Sequence, residues 1–315
     1  ALAGNAPKGT VLVLAGDTPM LSGDSLAQFV AAHTSGKFAA SVLTAEHPEP
    51  TGYGRIIRDD SDELLRIVEE KDATDEEKFI YEINSGVYAF DGEKLAASIG
   101  KLTNANAQGE LYLTDVIGIL KSAGESIAAI MIDDFTETLG VNDRVQLAES
   151  AAMLRDRINE QWMREGVTIV DPTTTWIDST VELSSDVTLH PGTALLGTTK
   201  VATGAVIGPR TTLTDCDVKE GASVLESIAT QTIIGEGATV GPFSYLRAGT
   251  QLGDATKAGA FVEMKNAVVG TGSKVPHLSY VGDATIGEGS NIGAATIFVN
   301  YDGVEKHHTT VGDHV

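Results

Sequence analysis

The sequence predicts an α/β domain followed by a parallel β-helix built from hexapeptide repeats. Three observations carry this prediction. Strand-like and helical segments alternate in the first half, an aliphatic residue recurs at every sixth position in the second half, and 315 residues suffice for two domains with separate cores. We expect the α/β domain at 1–143, a linker helix at 144–166 and the β-helix at 167–315.

The first half alternates between apolar strands and amphipathic helices. VLVLA (11–15) is apolar on both faces, which is typical of a central parallel strand, and a helix with a Ser or Asp start follows it at 22–34. The remaining segments continue the alternation, with strands at AASVLT, YGRIIRD, LLRIVEE, INSGVYAF and IAAIMID and helices at GELYLTDVIGILKSA and from about Arg144 to Glu165. Because a central strand normally follows earlier βαβ units, we expect the N-terminal part of this domain to be missing.

The second half repeats with a period of six, with two five-residue steps at Met264–Val269 and Val281–Ile286. One inward aliphatic residue per hexad requires a corner every six residues, so three hexads form one triangular coil. The residues expected to point inward are Ile177, Leu183, Leu189, Leu195, Val201, Ile207, Leu213, Ile228, Ile234, Val240, Leu246, Leu252, Ala258, Met264, Val269, Val275, Val281, Ile286, Ile292 and Phe298. The repeat is still running at Val315, so we expect C-terminal coils to be missing.

Composition argues against several classes of function. The formal charge of −22, from 22 Lys and Arg against 44 Asp and Glu, disfavours a nucleic-acid partner, because backbone phosphates require clustered cations. We expect no membrane insertion, because the sequence lacks an apolar run of about 18 residues. The single Cys216 and the absence of signal-peptide features predict a cytoplasmic protein. A phosphorylated substrate would then need a local group of cations or a metal ion.

Five polar residues gather at one edge of the predicted β-helix. Residues three hexads apart lie on neighbouring coils about 4.8 Å apart, which places Arg247 beside Lys265. Adjacent cations repel each other unless an anion such as phosphate lies between them. Glu263, His277 and Tyr280 fall near the same corner, and a neutral His277 could accept a proton from an amine that attacks a thioester, with Glu263 orienting the ring. Alternatively, His277 is an exposed residue of the solenoid flank without a chemical role.

Specific motifs extend along the whole chain. They are GDTP, PTGYGRI, IVEEKDAT, EINSGVYAF, ELYLTDVI and GVNDRVQLAE in the first half, and FSYLRAGT, GAFVEMKN, GSKVPHLSYVGDA, NIGAAT and NYDG in the second. With these motifs the sequence resembles the GlmU family of bacterial bifunctional N-acetylglucosamine-1-phosphate uridylyltransferase/glucosamine-1-phosphate N-acetyltransferases, and VNYDG is similar to its actinobacterial members. The resemblance implies a Rossmann-like nucleotidyltransferase domain and a left-handed parallel β-helix.

The resemblance implies two reactions in sequence. Acetyl-CoA would acetylate glucosamine 1-phosphate, and N-acetylglucosamine 1-phosphate would then react with UTP, with Mg²⁺ as cofactor, to give UDP-N-acetylglucosamine. This product would supply peptidoglycan and cell-wall synthesis and hence cell shape. The family also implies a homotrimer, which suits a three-sided prism with closed three-fold symmetry.

The resemblance further implies roles for single residues. In the acetyltransferase site the general base is His277 and its partner is Glu263. The sugar phosphate would contact Arg247, Lys265, Tyr280 and Asn291, and acetyl-CoA would contact Ala294, Asn300 and Tyr301. The sugar nucleotide would contact Ala15, Gly16, Asp17, Gly54, Glu69, Asn84 and Asn142, of which Asp17 and Asn142 would bind the metal. Because we assign Asn291 to a different hexad face from His277, we expect a neighbouring subunit to complete the site.

Departures from the family predict a chain truncated at both ends and impaired in both reactions. The glycine-rich nucleotide loop L-A-A-G-x-G-T-x-M is absent, as are the last coils of the acetyl-CoA pocket.

The alternative function is a sugar-1-phosphate nucleotidyltransferase whose β-helix tail is purely structural or regulatory. Such a protein would not need the cluster around His277. A zinc-binding β-helix is disfavoured because His190, His307 and His308 do not converge with His277 in the repeat.

Overall fold

The first half of the chain folds as an α/β unit, as its alternating segments predict, and its sheet is mixed. The computed structural model describes residues 7–315, and their contacts form two units, one ending at Ser150 and one beginning at Ala151. The strands of the first unit are β1 (Thr10–Val13), β2 (Ala40–Glu46), β3 (Arg55–Arg58), β4 (Leu64–Val68), β5 (Glu82–Asp91) and β6 (Ile127–Met131). Its helices are α1 (Gly23–Gly36), α2 (Gly92–Ile99) and α3 (Asp115–Ser122), with 3₁₀ turns at Glu77–Phe79 and Phe135–Thr138.

The sheet has the order β4-β3-β5-β2-β6, and β1 joins it beside β5. Only β2 and β6 pair in parallel among these strands, whereas the other pairs are antiparallel. The prediction of a central parallel strand at VLVLA is therefore wrong, because β1 pairs antiparallel with β5, with Val11 opposite Phe90, and is half-buried. Apolar side chains on both faces of a strand indicate that the strand is buried, but they do not determine whether its neighbour runs parallel or antiparallel to it.

Alternation along β2 divides the core of this unit between the two faces of the sheet. Val42 packs in a cluster with Leu95 of α2 and Ile117 of α3, whereas Leu43 packs in a second cluster with Phe29 of α1. The sequence patterns do not predict α2, whose first turn is capped by Asp91 through the amides of Glu93 and Lys94 at 3.1 and 3.0 Å. The helix predicted for 109–123 begins only at Asp115.

The second unit is a three-sided parallel β-helix, which confirms the fold class predicted from the repeat. The long helix α4 (Arg144–Arg164) spans the boundary between the units, so the linker helix exists with nearly the predicted bounds. A 3₁₀ turn follows at Pro172–Thr174. The strands, in chain order, are β7 (Thr168–Ile169), β8 (Trp176–Ile177), β9 (Glu182–Leu183), β10 (Thr188–Leu189), β11 (Ala194–Leu196), β12 (Lys200–Val201), β13 (Val206–Ile207), β14 (Thr212–Thr214), β15 (Asp217–Val218), β16 (Ser223–Val224), β17 (Ile228–Thr230), β18 (Ile233–Ile234), β19 (Thr239–Val240), β20 (Tyr245–Leu246), β21 (Gln251–Leu252), β22 (Lys257–Ala260), β23 (Glu263–Val269), β24 (Lys274–His277), β25 (Tyr280–Ile286) and β26 (Thr309–Val311).

Each face of the prism is a stack of parallel strands from successive coils. The first face runs from β7 through β10, β13, β16, β19 and β22 to β24. The second face begins at β8 and the third at β9, and the long strands β23 and β25 continue across both. Among residues 7–315, no helix is both long and apolar enough to cross a membrane.

With one exception, the predicted inward residues lie in the core of the β-helix or, like the partly buried Leu183, pack against it. Ile228 is exposed, and its neighbour Ala229 is fully buried in its place. The cause is a change of step, because five positions separate Leu213 from the next inward residue, Val218, and five separate Val224 from Ala229. A strict count of six therefore skips Val218 and Val224 and assigns Ile228 to the wrong side.

The adjacent isoleucines of β18 offer a matched test of the inward register. Ile234 is fully buried whereas Ile233 is 40% exposed. Ile234→Ala is expected to lower the free energy of unfolding by about 2–5 kcal/mol, because it removes buried methyl groups and leaves a cavity. Ile233→Ala is expected to lower it by at most about 1 kcal/mol. Denaturant unfolding of both variants measures the difference, and equal losses would contradict the assigned register.

Candidate functional site

The first candidate site is a cleft of the α/β unit, formed where strand ends and loops meet. Six of the seven predicted sugar-nucleotide residues line this cleft of about 350 Å³, together with Tyr53, Gly86, Thr138, Gly140 and Gln146. The six are Ala15, Asp17, Gly54, Glu69, Asn84 and Asn142. Gly16 does not line the cleft itself but lies between Ala15 and Asp17 in the chain. Residues far apart in sequence thus meet at one surface, as the resemblance predicts.

Backbone contacts hold the loops of this cleft together. The Val141 amide donates to the Asp17 carbonyl at 2.8 Å, which fixes the segment before Asn142 against the segment after β1. The Asn84 amide donates to the Gly54 carbonyl at 2.8 Å. A side chain at Gly54 would place its Cβ 3.3 Å from Glu69 Oε2 and 3.5 Å from Asn84 Cβ, so the absence of a side chain lets these groups pack closely around Gly54.

Two polar side chains of the cleft have a fixed environment. The Asn84 Nδ2 group donates to the Tyr88 hydroxyl at 2.7 Å and Asn84 Oδ1 accepts from the Gly86 amide at 3.1 Å, which sets the orientation of this side-chain amide. Burial raises the pKa of Glu69, and the hydrogen bond from Thr114 opposes this rise. A partly desolvated carboxyl group of this kind suits hydrogen bonding to the hydroxyl groups of a sugar.

Asp17 and Asn142 form a donor set that fits magnesium. Among residues 7–315, neither the Asp17 carboxylate nor the Asn142 side-chain amide has a hydrogen-bond partner, although both line the cleft. The described residues contain no group of three or more His, Cys, Asp or Glu that could bind a metal ion unaided. Magnesium commonly uses one or two protein oxygens and completes its shell with water and substrate phosphates, so two oxygen donors are sufficient.

The second candidate site lies on the β-helix, along the edge between β24 and β25. His277 is the last residue of β24 and Tyr280 the first of β25. On the preceding coil, Ala260 lies opposite His277 and Glu263 opposite Tyr280. These registers place His277 and Tyr280 at the corner expected from the hexad count, and His277 is exposed.

The two cations predicted to hold a phosphate lie on neighbouring coils. Leu246 pairs with Met264, which places Arg247 and Lys265 side by side as predicted. Arg247 Nη1 donates to Glu263 Oε1 at 3.0 Å, and Lys265 Nζ lies 3.8 Å from Asp283 Oδ2. Each cation is thus close to a carboxylate, an arrangement that limits the repulsion between the cations.

The environment of His277 differs in one respect from the sequence interpretation. The Glu263 carboxylate bonds to Arg247, and within the described residues the His277 ring has no hydrogen-bond partner. Instead, Ser279 Oγ donates to the backbone carbonyl of His277 at 2.7 Å and fixes the backbone of the corner. The imidazole nitrogens are therefore free to contact a substrate.

Asn291 does not lie on a different face from His277, and that expectation is wrong. Asn291 forms a parallel bridge with Lys274, which belongs to β24 as His277 does. The spacing explains the placement, because Val275 and Ile292 are three repeats apart and three repeats close one coil. The prediction that a neighbouring subunit completes the site loses this particular support.

The three predicted acetyl-CoA residues differ in their surroundings. Ala294 is exposed, and the Tyr301 hydroxyl donates to the Gly303 carbonyl at 2.8 Å. Asn300 lies among the sugar-site residues, because its Nδ2 group is 3.4 Å from the Tyr280 hydroxyl and 2.5 Å from Asp283 Oδ2. A side chain at Gly282 would collide with both Tyr280 and Asn300, so only a glycine permits their approach.

Asp283 is a site residue that the sequence interpretation missed. This almost buried carboxylate accepts from Asn266 Nδ2 at 2.8 Å and from Asn300 Nδ2, and Lys265 lies nearby. The hydrogen bond from Asn266 lowers the pKa of Asp283 most, while Asn300 and Lys265 add to the lowering and burial opposes it. The available signal was the spacing, because the three Asx positions 266, 283 and 300 follow one another at intervals of 17.

An exposed apolar ridge lies beside His277. Phe243, Phe261 and Leu278 are 53%, 57% and 61% exposed and all have a positive φ, so they share the same kind of corner position. The rings of Phe243 and Phe261 stack with centroids 5.3 Å apart. Apolar side chains that are exposed as a continuous group mark a surface suited to association.

The chain is similar to one protein family profile and to several known bacterial proteins. The profile of the nucleotidyl transferase family matches residues 1–178. The bifunctional protein GlmU of Streptomyces avermitilis is 55% identical over 312 residues, covering 99% of this chain and 65% of that protein. The GlmU proteins of Kineococcus radiotolerans and Rhodococcus opacus are 56% and 58% identical, each covering 98% of this chain and 62% of the relative. The chain thus spans somewhat less than two thirds of the length of these relatives, and the predicted resemblance to actinobacterial GlmU proteins is confirmed.

Proposed function

The chain belongs to the nucleotidyl transferase family, and from this membership and its similarity to bifunctional GlmU proteins we propose that it carries out two steps in the synthesis of UDP-N-acetylglucosamine. The first is acetyl transfer from acetyl-CoA to glucosamine 1-phosphate. The second is uridylyl transfer from UTP to N-acetylglucosamine 1-phosphate. The observation that carries the proposal is that both clusters of implied residues occur in one chain, in the cleft of the first unit and at the His277 corner of the second.

Acetyl transfer needs a base for the attacking amine. The amine nitrogen of glucosamine 1-phosphate forms a bond with the thioester carbonyl carbon, the carbon–sulfur bond breaks, and coenzyme A leaves as a thiolate that takes up a proton to become the thiol. His277, whose ring is exposed, accepts the amine proton. Arg247 and Lys265 bind the phosphate, which replaces part of their present contact with carboxylates. Tyr280 and Asn291 contact the sugar, and Ala294, Asn300 and Tyr301 contact acetyl-CoA.

Uridylyl transfer takes place in the cleft of the first unit. A phosphate oxygen of N-acetylglucosamine 1-phosphate attacks the α-phosphorus of UTP, and pyrophosphate leaves. Asp17 and Asn142 would hold Mg²⁺, which when bound would supply positive charge to the phosphates in a protein with a net charge of −22. Glu69 and Asn84 orient the sugar nucleotide, while Ala15 and Gly54 line the surface that it approaches and Gly16 lies between Ala15 and Asp17 in the chain.

The active assembly in this proposal is a cytoplasmic homotrimer. The exposed ridge of Phe243, Phe261 and Leu278 supports it, because association would remove these side chains from water beside His277. A three-sided prism also has a shape compatible with a closed three-fold assembly. The single cysteine, Cys216, suits the reducing cytoplasm, and the peptidoglycan precursor made there would support cell-wall synthesis and cell shape.

Two product assays on the native polypeptide that contains this sequence test the proposal. Release of coenzyme A thiol is expected only when glucosamine 1-phosphate accompanies acetyl-CoA. Release of pyrophosphate is expected only when N-acetylglucosamine 1-phosphate and Mg²⁺ accompany UTP. Pyrophosphate release without any sugar-dependent thiol release would favour the alternative, a nucleotidyltransferase with a structural tail. Absence of both would overturn the proposal.

A further inference from the structure

We infer that Asp283 is a positioning residue that holds Lys265 and Asn300 in place for substrate binding. The inference rests on the proposed acetyltransferase function, in which Lys265 binds the sugar phosphate and Asn300 contacts acetyl-CoA. One carboxylate would then join the binding groups of the two substrates. Asp283 itself need not touch either substrate, because it acts through the two residues that do.

The geometry gives each carboxylate oxygen of Asp283 a separate task. Oδ1 accepts from Asn266 Nδ2 at 2.8 Å, and Asn266 is not among the predicted substrate-binding residues. Oδ2 accepts from Asn300 Nδ2 at 2.5 Å and lies 3.8 Å from Lys265 Nζ. Asp283 is only 9% exposed, so water competes little for these contacts.

The contacts continue from Asp283 to the sugar-binding side. Asn300 Nδ2 is also 3.4 Å from the Tyr280 hydroxyl, so a change at Asp283 Oδ2 would alter the position of the Asn300 amide relative to Tyr280. Lys265 has a long flexible side chain, and an ion pair limits the positions its ammonium can adopt. Loss of the negative charge would therefore allow the Lys265 ammonium to move and, at the same time, change the position of the Asn300 side-chain amide.

Asp283→Asn tests the inference directly, because it preserves the shape of the side chain and replaces one of its two acceptor oxygens with an NH₂ donor. Both partners of the carboxylate, Asn266 and Asn300, present NH₂ groups to it, one to each oxygen. An asparagine at 283 has only one oxygen in its side chain, so its own NH₂ group must face one of these donors. The substitution also removes the charge that faces Lys265.

In steady-state acetyltransferase assays, Asp283→Asn is expected to raise the KM for glucosamine 1-phosphate by about tenfold or more, as loss of a charged hydrogen bond does. The KM for acetyl-CoA should rise as well, while kcat changes by a smaller factor. A purely structural role would reduce the amount of folded enzyme and hence kcat per mole of protein, but would leave both KM values unchanged.

Asn266→Gly is the matched control. It removes the contact to Oδ1 and leaves the Oδ2 contacts, and glycine tolerates the φ of +47° at this position. This variant is expected to lower thermal stability while both KM values stay near those of the wild type. Asp283→Glu, which keeps the charge and displaces both oxygens, is expected to raise the KM values and provides the test should Asp283→Asn fold poorly.

The outcomes separate this inference from the proposed function. If wild-type enzyme releases thiol in a sugar-dependent manner and both Asp283 variants keep wild-type KM values, the inference is overturned and the function stands. If Asn266→Gly raises the KM values as much as Asp283→Asn, the role assigned to Oδ2 is overturned. If the wild type shows no sugar-dependent release, the proposed function fails, and the inference fails with it.

Discussion

His277→Ala is expected to lower sugar-dependent release of coenzyme A by about a hundredfold or more, the usual loss when a general base is removed. The fall should appear in kcat, because the base acts as the amine proton is transferred, and the KM for acetyl-CoA should change little. The structure indicates that this substitution changes little besides the base itself. The imidazole is exposed and has no hydrogen-bond partner among the described residues, so its removal leaves no buried polar group unpaired.

His190→Ala is the matched control for this experiment. His190 lies at the end of β10 on the same face of the prism, several coils before β24, and is partly exposed. Its replacement should leave the rate of thiol release unchanged. A rate in His277→Ala within a few-fold of the wild type would contradict the role of His277 as base and would favour an exposed residue of the solenoid flank. Pyrophosphate release should be unaffected in both variants, because the cleft belongs to the other unit.

The arrangement of the β-helix could be predicted from sequence because a solenoid converts sequence spacing into spatial neighbourhood. Each coil contacts only the next, so residues three repeats apart must be adjacent. From the sequence alone, this spacing predicts Arg247 beside Lys265 and His277 opposite the Ala258 repeat, and the strand registers agree. The identity of the inward residues followed from the same count except between Leu213 and Ile234, where five-residue steps were missed.

The error in the inward residues has a physical cause. A corner can be turned with five residues as well as six, and the five-residue steps between Leu213 and Ile234 move the inward position from Ile228 to Ala229. The error at Asn291 is different, because its repeat follows that of Lys274 by three repeats and three repeats close one coil. Asp283 was missed for a different reason. Its importance lies in its contacts with Asn266 and Asn300, and hydrogen-bond partners depend on side-chain orientations that spacing does not specify.

In the α/β unit, the positions of the strands could be predicted more reliably than which strands pair and in which direction. Strand-like segments in the sequence predicted β2 to β6. The antiparallel pairing of β1 with β5 could not be predicted, because it depends on long-range packing and not on the apolar composition of the strand. The cleft residues were named only through the resemblance, since each motif alone reads as an ordinary turn or cap. Their convergence on one surface is what the structure adds.

Asp17→Asn is expected to lower Mg²⁺-dependent release of pyrophosphate from UTP and N-acetylglucosamine 1-phosphate by about a hundredfold or more. Charge stabilisation by a bound metal amounts to several kcal/mol, and each loss of about 1.4 kcal/mol lowers the rate tenfold. The variant keeps the shape of the side chain and removes its negative charge. The backbone contact between the Asp17 carbonyl and the Val141 amide at 2.8 Å does not involve the side chain, so the cleft should keep its form.

The Mg²⁺ dependence distinguishes a metal ligand from a residue that only shapes the cleft. With Asp17→Asn the concentration of Mg²⁺ that gives half-maximal rate should rise, and part of the lost activity should return as the ion is raised, since Asn142 still offers one oxygen. Asp60→Asn is the matched control, because Asp60 is exposed and lies outside the cleft. It should leave both the rate and the Mg²⁺ dependence unchanged. An Asp17→Asn enzyme with a lower rate but a wild-type Mg²⁺ dependence would show that Asp17 contributes to the site without binding the metal.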